Sequence, residues 1–274
     1  MAENPTEVAL DRGTQGGGLK DHEAQIDMVR LRAYRLRRTR EAMAERGLSG
    51  VVLYDPLNVR YATGSRNMQI HCMHTPSRFA FVPTEGPVTL FEYRTCEHLV
   101  RGLETIQEVR PAISWNYFSS GPNREARATR WADGLASLMK EVCGGDLRIG
   151  FDHLDPLGTD LMRARGVEVV DGQEPLEHAR SVKSADEIAC MKVAVSVCEA
   201  GMARMYEAMR PGMTENQLWA ILHEVNIAGG GEWIETRLLS SGSRTNPWMQ
   251  ECGEKILRPG ELVAFDTDLI GPFG

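Results

Sequence analysis

The sequence lacks any apolar run approaching the ~18 residues that a membrane-spanning helix requires, and it has no run of five like charges. Its first twenty residues are polar and contain no apolar signal-peptide core. The single basic stretch, residues 30–40, has apolar residues interleaved, which disfavours nucleic-acid binding. These absences leave an acidic soluble chain of 274 residues with net charge −7. At 42% hydrophobic residues, it can bury the core of one large or two small domains.

The sequence also lacks paired cysteines. Six are present and none forms a C-x-x-C motif: Cys72, Cys96, Cys143, Cys190, Cys198 and Cys252. Isolated cysteines without metal-ligand spacing are typical of reduced thiols in an intracellular protein. We therefore predict a cytoplasmic location.

The first half of the chain alternates between helical and strand-like patterns. Residues 1–24 predict a disordered leader, and a helical pattern over residues 21–46 ends at Gly47, where positive φ is tolerated. A second helix is expected after Asn123. Strand-like runs occur at residues 50–54, 79–82, 88–91, 147–151 and 167–170, and the turn residues at 83–86 predict a hairpin. Mixed strands and helices of this extent predict an α/β domain over residues 25–175.

The pattern changes after the turn-rich stretch 171–175, and residues 176–274 are predicted to form a second domain. Ser184–Glu187 and Thr214–Gln217 have the form of capping boxes, and each precedes an amphipathic helix. Spacings of three and four predict one core-facing stripe on the first of these helices: Ile188, Met191, Val195, Cys198, Met202 and Met205.

The last segment is β-like, with candidate strands at residues 236–240 and 262–265. The second runs into a turn at 271–274, with no later strand to pair its backbone. We therefore expect the printed sequence to be the front part of a longer chain.

Asp266 and Asp268 follow this last strand and stand two residues apart, so their side chains are predicted to share a face. Two adjacent carboxylates repel each other unless a cation or a proton neutralises them, and oxygen ligands suit hard or borderline metal ions. From the pattern alone, two solvated turn carboxylates are the stronger interpretation, because two ligands underfill a metal site.

Three segments carry recognisable signatures in order. Residues 56–64 contain N-x-R-Y-x-T-G, residues 180–188 contain R-x-x-K-x-x-x-E-I, and residues 258–266 read Arg-Pro-Gly-Glu-Leu-Val-Ala-Phe-Asp. Together they resemble the creatinase/prolidase/aminopeptidase P family, the M24 peptidases. The resemblance implies an α/β (α+β) protein in which a creatinase-like N-terminal α/β domain precedes an incomplete pita-bread catalytic domain.

The same resemblance implies a site for two divalent metal ions, Fe, Mn or Zn, held by two aspartates, a histidine and two glutamates. Asp266 matches the first aspartate, and the remaining ligands and the general base are expected beyond Gly274. The family also implies a small-molecule substrate and a homodimer, with neither nucleic acid nor membrane as a partner.

Residues 229–239, 241–248 and 265–274 resemble the dimethylsulfoniopropionate lyase branch of this family, in which both aspartates of the D-x-D pair are ligands. That implies metal-ligand roles for Asp266 and Asp268. Trp248 stands where the proline-specific peptidases have a histidine. An indole cannot shuttle a proton, but its face can attract a sulfonium; the alternative is that Trp248 is a core residue.

His71 and His74 lie in the segment that corresponds to a pocket-reaching loop of the lyase branch, which implies substrate contact; two exposed loop histidines are the equal alternative. Arg237 or Arg244 could bind a substrate carboxylate, although salt bridging explains both as well. Three functions follow: a metal-dependent lyase, a Xaa-Pro aminopeptidase or prolidase, and a non-catalytic pita-bread binding module.

Overall fold

The computed structural model describes residues 25–273, and the predicted disordered leader, residues 1–24, lies outside them. Contacts divide the chain after Ser184 into two compact units, the first of which spans Met28–Ser184. The predicted domain limits, 25–175 and 176–274, stay a prediction. No helix among residues 25–273 is both long and apolar enough to cross a membrane.

The first unit begins with helix α1, Met28–Ala44. Residues 25–27 are not helical, so the predicted start at residue 21 was too early; α1 begins directly after Asp27, a residue type that favours the position before a helix. At the other end, Gly47 has φ 62°. Leu48 N donates to Met43 O at 3.0 Å there, and this left-handed turn stops the helix.

Six short strands form one mixed sheet in the order β4-β3-β2-β1-β5-β6. The strands are β1 Gly50–Leu53, β2 Phe79–Pro83, β3 Thr89–Glu92, β4 Glu108–Pro111, β5 Arg148–Phe151 and β6 Glu168–Asp171. The predicted hairpin is confirmed by the antiparallel pairing of β2 with β3. On its two edges β1 pairs antiparallel with β2 and parallel with β5. The sequence did not predict β4.

Helices cover both faces of this sheet. They are α2 Pro56–Thr63, α3 Gln69–His74, α4 Tyr117–Ser120, α5 Arg124–Cys143, α6 Pro156–Arg163 and α7 Gln173–Ser181. Alternate residues of β1 enter two apolar clusters, because successive side chains of a strand point to opposite faces. Val52 joins the cluster that contains Trp131 of α5, whereas Val51 joins the cluster that contains Met43 of α1 and Leu176 of α7.

The second unit contains two long helices, α8 Ala185–Ala208 and α9 Glu215–Ala228, and two short strands, β7 Leu239–Ser241 and β8 Val263–Phe265. The capping box at Thr214 is confirmed: its hydroxyl accepts from Gln217 N, and the Gln217 side chain accepts from Thr214 N. A Cβ on Gly201 would lie 2.7 Å from Leu222 Cδ1, so glycine allows α8 and α9 to approach closely.

The predicted core-facing stripe of α8 was wrong for most of its members. Ile188, Met191, Val195 and Met202 are each about half exposed, and only Met205 is buried. The buried face instead includes Ala189, Cys190, Val193 and Gly201. At Gly201 the close packing against α9 selects a small residue, whereas the sequence pattern identifies the largest apolar side chains.

The last strand has a partner that precedes it in the chain, whereas the prediction concerned only a later strand. β8 pairs antiparallel with β7, with Leu239 opposite Phe265. The backbone pairing continues beyond β8, since Ile270 N donates to Trp233 O at 2.9 Å and Glu232 N donates to Ile270 O at 2.9 Å.

Candidate metal and substrate site

Asp266 and Asp268 directly follow β8 on backbone that is fixed by the neighbouring segment. Asp266 N donates to Leu238 O at 2.9 Å, and Glu235 N donates to Asp268 O at 3.0 Å. Thr236 Oγ1 donates to Asp268 Oδ2 at 2.9 Å. Both aspartates are exposed. Their carboxylates are therefore accessible from solvent.

The two carboxylates fit part of a metal site. Within residues 25–273, no group of three or more His, Cys, Asp or Glu side chains is placed to hold a metal ion. Protein metal centres generally take three or more protein ligands, so Asp266 and Asp268 could supply two oxygen ligands of a larger set.

Trp248 lies on a segment, residues 241–253, that leaves β7 and returns to the body of the same unit. It is half-buried, and it is not among the side chains of the unit's apolar cluster, which includes Trp219, Leu222 and Leu239. The Trp248 indole therefore lies outside the apolar core of this unit, whereas the alternative interpretation made it a core residue.

Glu215, in the first turn of α9, holds both ends of this 241–253 segment. Its fully buried carboxylate accepts from Ser241 N and Ser241 Oγ, each at 2.8 Å, and from Gly253 N at 3.0 Å. The Arg244 guanidinium completes the set, and its other nitrogen donates to Glu251 O at 2.7 Å. One carboxylate therefore closes the neck of the segment that carries Trp248.

Sequence reasoning missed Glu215 because a glutamate beside Thr214 was interpreted only as part of a helix start. Its position could have indicated this role. Glu215 stands between a capping residue and an apolar helix face, where a buried carboxylate without a partner would lower stability. Arg244 was a candidate for binding a substrate carboxylate, but its guanidinium forms an ion pair with Glu215. Arg237 donates to Asn216 Oδ1 at 2.8 Å and to Cys252.

His71 and His74 belong to the first unit, on the short helix α3 and not on a loop as expected. Both are exposed. The His71 ring centroid is 6.4 Å from that of Tyr93.

The segment before α3 is fixed by a buried ion pair. Arg78 Nε donates to Glu92 Oε2 at 2.6 Å, and Asn67 Nδ2 donates to Glu92 Oε1 at 3.1 Å. Arg78 also donates to Ser65 Oγ. This network gives α3 a rigid base.

Comparison with known proteins places the chain. Residues 35–182 match the Creatinase/Prolidase N-terminal domain, and residues 189–271 match Metallopeptidase family M24. The chain therefore belongs to the creatinase/prolidase family, as its three signatures predicted.

Among curated proteins, the chain is similar to two named "Dimethylsulfoniopropionate lyase DddP". The one from Roseovarius nubinhibens is 38% identical over 275 residues, which cover 98% of this chain and 60% of that protein. The one from Roseobacter denitrificans is 38% identical over 261 residues, covering 92% and 58%. The chain thus spans about 60% of the length of these relatives.

Solved structures show the fold. The X-Pro aminopeptidase from Thermotoga maritima MSB8 superposes with a TM-score of 0.66 at 15% identity, over 86% of this chain and 61% of that one. Prolidase from Pyrococcus furiosus gives 0.65 at 16% identity, over 86% and 66%. The predicted mixed α/β fold, a creatinase-like domain followed by part of a pita-bread domain, is confirmed.

Proposed function

We propose that this chain is part of a metal-dependent enzyme that cleaves dimethylsulfoniopropionate to dimethyl sulfide and acrylate. The observation that carries the proposal is 38% identity to two proteins named as lyases of this substrate, extending over 98% of this chain with one of them. Identity of that extent covers both the first unit and the segments around Trp248 and Asp266.

The reaction is an elimination. A base removes a proton from the carbon next to the carboxylate, the electron pair forms the C=C bond of acrylate, and the C–S bond breaks so that its electrons leave with neutral dimethyl sulfide.

Asp266 and Asp268 would hold a divalent metal, and we propose two ions of Fe, Mn or Zn. Carboxylate oxygens are ligands that such ions accept. A metal bound there would act as a Lewis acid toward the substrate carboxylate. The Thr236 hydroxyl, 2.9 Å from Asp268 Oδ2, fixes the direction of that carboxylate.

Trp248 is proposed to bind the sulfonium group, because an indole face attracts an onium cation and is chemically inert toward it. We also propose that His71 and His74 contact the substrate. The protein is further proposed to form a homodimer in the cytoplasm.

A Xaa-Pro aminopeptidase is the second candidate, and the fold of the solved X-Pro aminopeptidase and prolidase favours it. Trp248 disfavours it, because the peptidases of the family use a histidine at this place to handle the substrate, and an indole has no basic nitrogen.

The test uses the full-length protein loaded with Fe, Mn or Zn, and measures dimethyl sulfide by gas chromatography alongside hydrolysis of Xaa-Pro dipeptides. We expect dimethyl sulfide release with at least one metal. Trp248→Phe should keep most of the activity, whereas Trp248→Ala should raise KM with a smaller effect on kcat. Asp133→Asn, on an exposed residue of the first unit, is the matched control for Asp266→Asn and Asp268→Asn, which should abolish turnover.

Dipeptide hydrolysis without any dimethyl sulfide release would replace the proposal with the peptidase. Trp248→His distinguishes the two further: improved dipeptide turnover in that variant would also count against the lyase. For the 274-residue chain alone, calorimetry with Mn or Zn should detect no sub-micromolar binding, because residues 25–273 bring no group of three or more possible ligands together.

A further inference from the structure

A cavity of about 260 Å³ opens in the first unit, at the carboxyl ends of the parallel strands β1 and β5. Such an edge is where α/β sheets commonly bind ligands. The volume lies just below the usual range for small-molecule sites, about 300–1,000 Å³, which restricts it to a small ligand. Its apolar walls are Tyr54, Pro76, Trp115 and Leu154.

Two aromatic rings form a fixed corner of this cavity. The rings of Tyr54 and Trp115 have centroids 6.1 Å apart and stand at 88° to each other. Tyr54 stacks on Phe79 at 4.7 Å, and Trp115 packs against Trp131 at 4.0 Å. Because both rings are backed by core side chains, the corner is formed before any ligand arrives.

The charges around the cavity favour a cation. Asp55, Asp152 and Asp155 follow β1 and β5, and the Arg124 guanidinium faces Asp155. Asp155 lines the cavity and is paired with Arg124, so the attraction for a cation comes from Asp55 and Asp152 behind the wall. His153, whose side chain is 57% exposed, lies on the rim with Nε2 3.7 Å from Asp55 Oδ2.

A hydrogen bond links the aromatic corner to the Asp155 carboxylate. Trp115 Nε1 donates to Asp155 Oδ2 at 3.3 Å, so this carboxylate stays at the edge of the ring. Asp155 Oδ1 accepts from Gly158 N at 2.7 Å and thereby caps helix α6. The position of the negative charge is thus set by the fold and not by a ligand.

We propose that this cavity binds a small organic cation of the alkylammonium or alkylsulfonium type. Methyl groups around a positive centre match aromatic walls, which attract an onium through the ring quadrupole, while the carboxylates supply long-range attraction. Every residue of this site lies in the first unit, so the inference does not depend on Asp266, Asp268 or the proposed lyase activity.

The experiment is calorimetry of the 274-residue chain with tetramethylammonium chloride, compared with tert-butanol as an uncharged probe of similar shape and sodium chloride as a salt control. We expect saturable binding of tetramethylammonium alone. Asp155 is unsuited to substitution because it caps α6, and the core position of Trp115 makes its replacement a folding risk. The exposed rim residue His153 avoids both problems.

His153→Lys adds a permanent positive charge at the rim and should weaken binding about tenfold or more, as expected for like charges a few ångströms apart. His153→Gln should bind as the wild type does. His98→Lys, an equal charge change at an exposed position away from the cavity, is the control for net charge, and Trp248→Ala separates this cavity from the proposed substrate site.

Binding that survives His153→Lys but disappears in Trp248→Ala would overturn the proposal and assign the cation to Trp248. Equal binding of tert-butanol would show a merely apolar pocket, and no saturable binding of any probe would remove the site altogether. Failure here leaves the dimethyl sulfide assay untouched, because none of the residues proposed for the lyase site lines this cavity.

Discussion

Arg78 Nε donates to Glu92 Oε2 at 2.6 Å, with 1% of the arginine side chain and none of the glutamate side chain exposed. Because arginine stays charged in proteins, the buried guanidinium needs the Glu92 carboxylate to balance its charge. Breaking a buried pair by removing one partner costs about 3–5 kcal/mol, because the other charge stays buried without compensation.

We therefore expect Glu92→Gln to lower the free energy of unfolding by about 3 kcal/mol, measured by urea denaturation. Glu108→Gln is the control, because Glu108 pairs with Arg110 at 2.7 Å with both side chains partly exposed. Such pairs contribute about 0–1 kcal/mol. Equal losses in the two variants would contradict the role assigned to burial.

Two buried tyrosines should respond differently to removal of their hydroxyl groups. Tyr61 Oη donates to Ala179 O at 3.1 Å, so Tyr61→Phe should cost about 1 kcal/mol. Tyr54 Oη is buried without a hydrogen bond. Burial raises the pKa of Tyr54 well above its usual value. Tyr54→Phe should leave thermal stability unchanged or raise it, and a loss as large as that of Tyr61→Phe would refute this.

Removing the Glu215 carboxylate should loosen the whole 241–253 segment. Hydrogen bonds to a charged group contribute about 1.5–3 kcal/mol each, and Glu215→Ala leaves several donors without their acceptor. We expect faster amide hydrogen exchange at Ser241 and Gly253, with a stability loss of about 3 kcal/mol. Glu251→Gln, on an exposed residue of the same segment, is the control. Unchanged protection of the two amides would show that Glu215 does not close the neck.

The pH dependence of the first unit should include a contribution from Asp152. Burial raises its pKa above 3.8, although Tyr54 N, Asn58 Nδ2 and Asp55 N all donate to the carboxylate. The folded state therefore holds this proton more tightly than the unfolded state. The stability from this group is present below pH 3.8 and is lost as the pH rises through the raised pKa.

Carbon NMR titration of the Asp152 carboxyl group measures this directly. His153 lowers the pKa of Asp152 by its charge, as a smaller effect, so His153→Gln should raise that pKa further. An Asp152 pKa at or below 3.8 would contradict the prediction.

Local patterns in the sequence predicted the elements that depend on local interactions. The run at Gly50–Leu53, the hairpin of β2 and β3 and helix α5 each carry their own periodicity or turn residues. β4 was missed because Glu-Val-Arg-Pro has no apolar run; it is an edge strand that pairs with β3 alone. Periodicity also grouped Ile188, Met191 and Val195 on one face without telling which face of α8 packs.

In the candidate site, too, local features were predicted from the sequence and long-range contacts were not. Asp266 and Asp268 are adjacent in sequence and follow an apolar strand, so spacing alone drew attention to them. Glu215 meets Ser241 and Gly253 only after folding, across separations of 26 and 38 residues. A contact between distant polar residues leaves no periodic signal, so only the structure reveals the neck of the Trp248 segment.

The two edges of β1 also set an order of events during synthesis on the ribosome. β2 follows β1 within about thirty residues and pairs with Leu53 through Ala80, whereas the partner on the other edge, β5, pairs Gly50 with Ile149, about a hundred residues later. Closing the longer loop costs more chain entropy and waits for later translation. One edge of β1 therefore stays unpaired throughout the synthesis of α5, until β5 has left the ribosome.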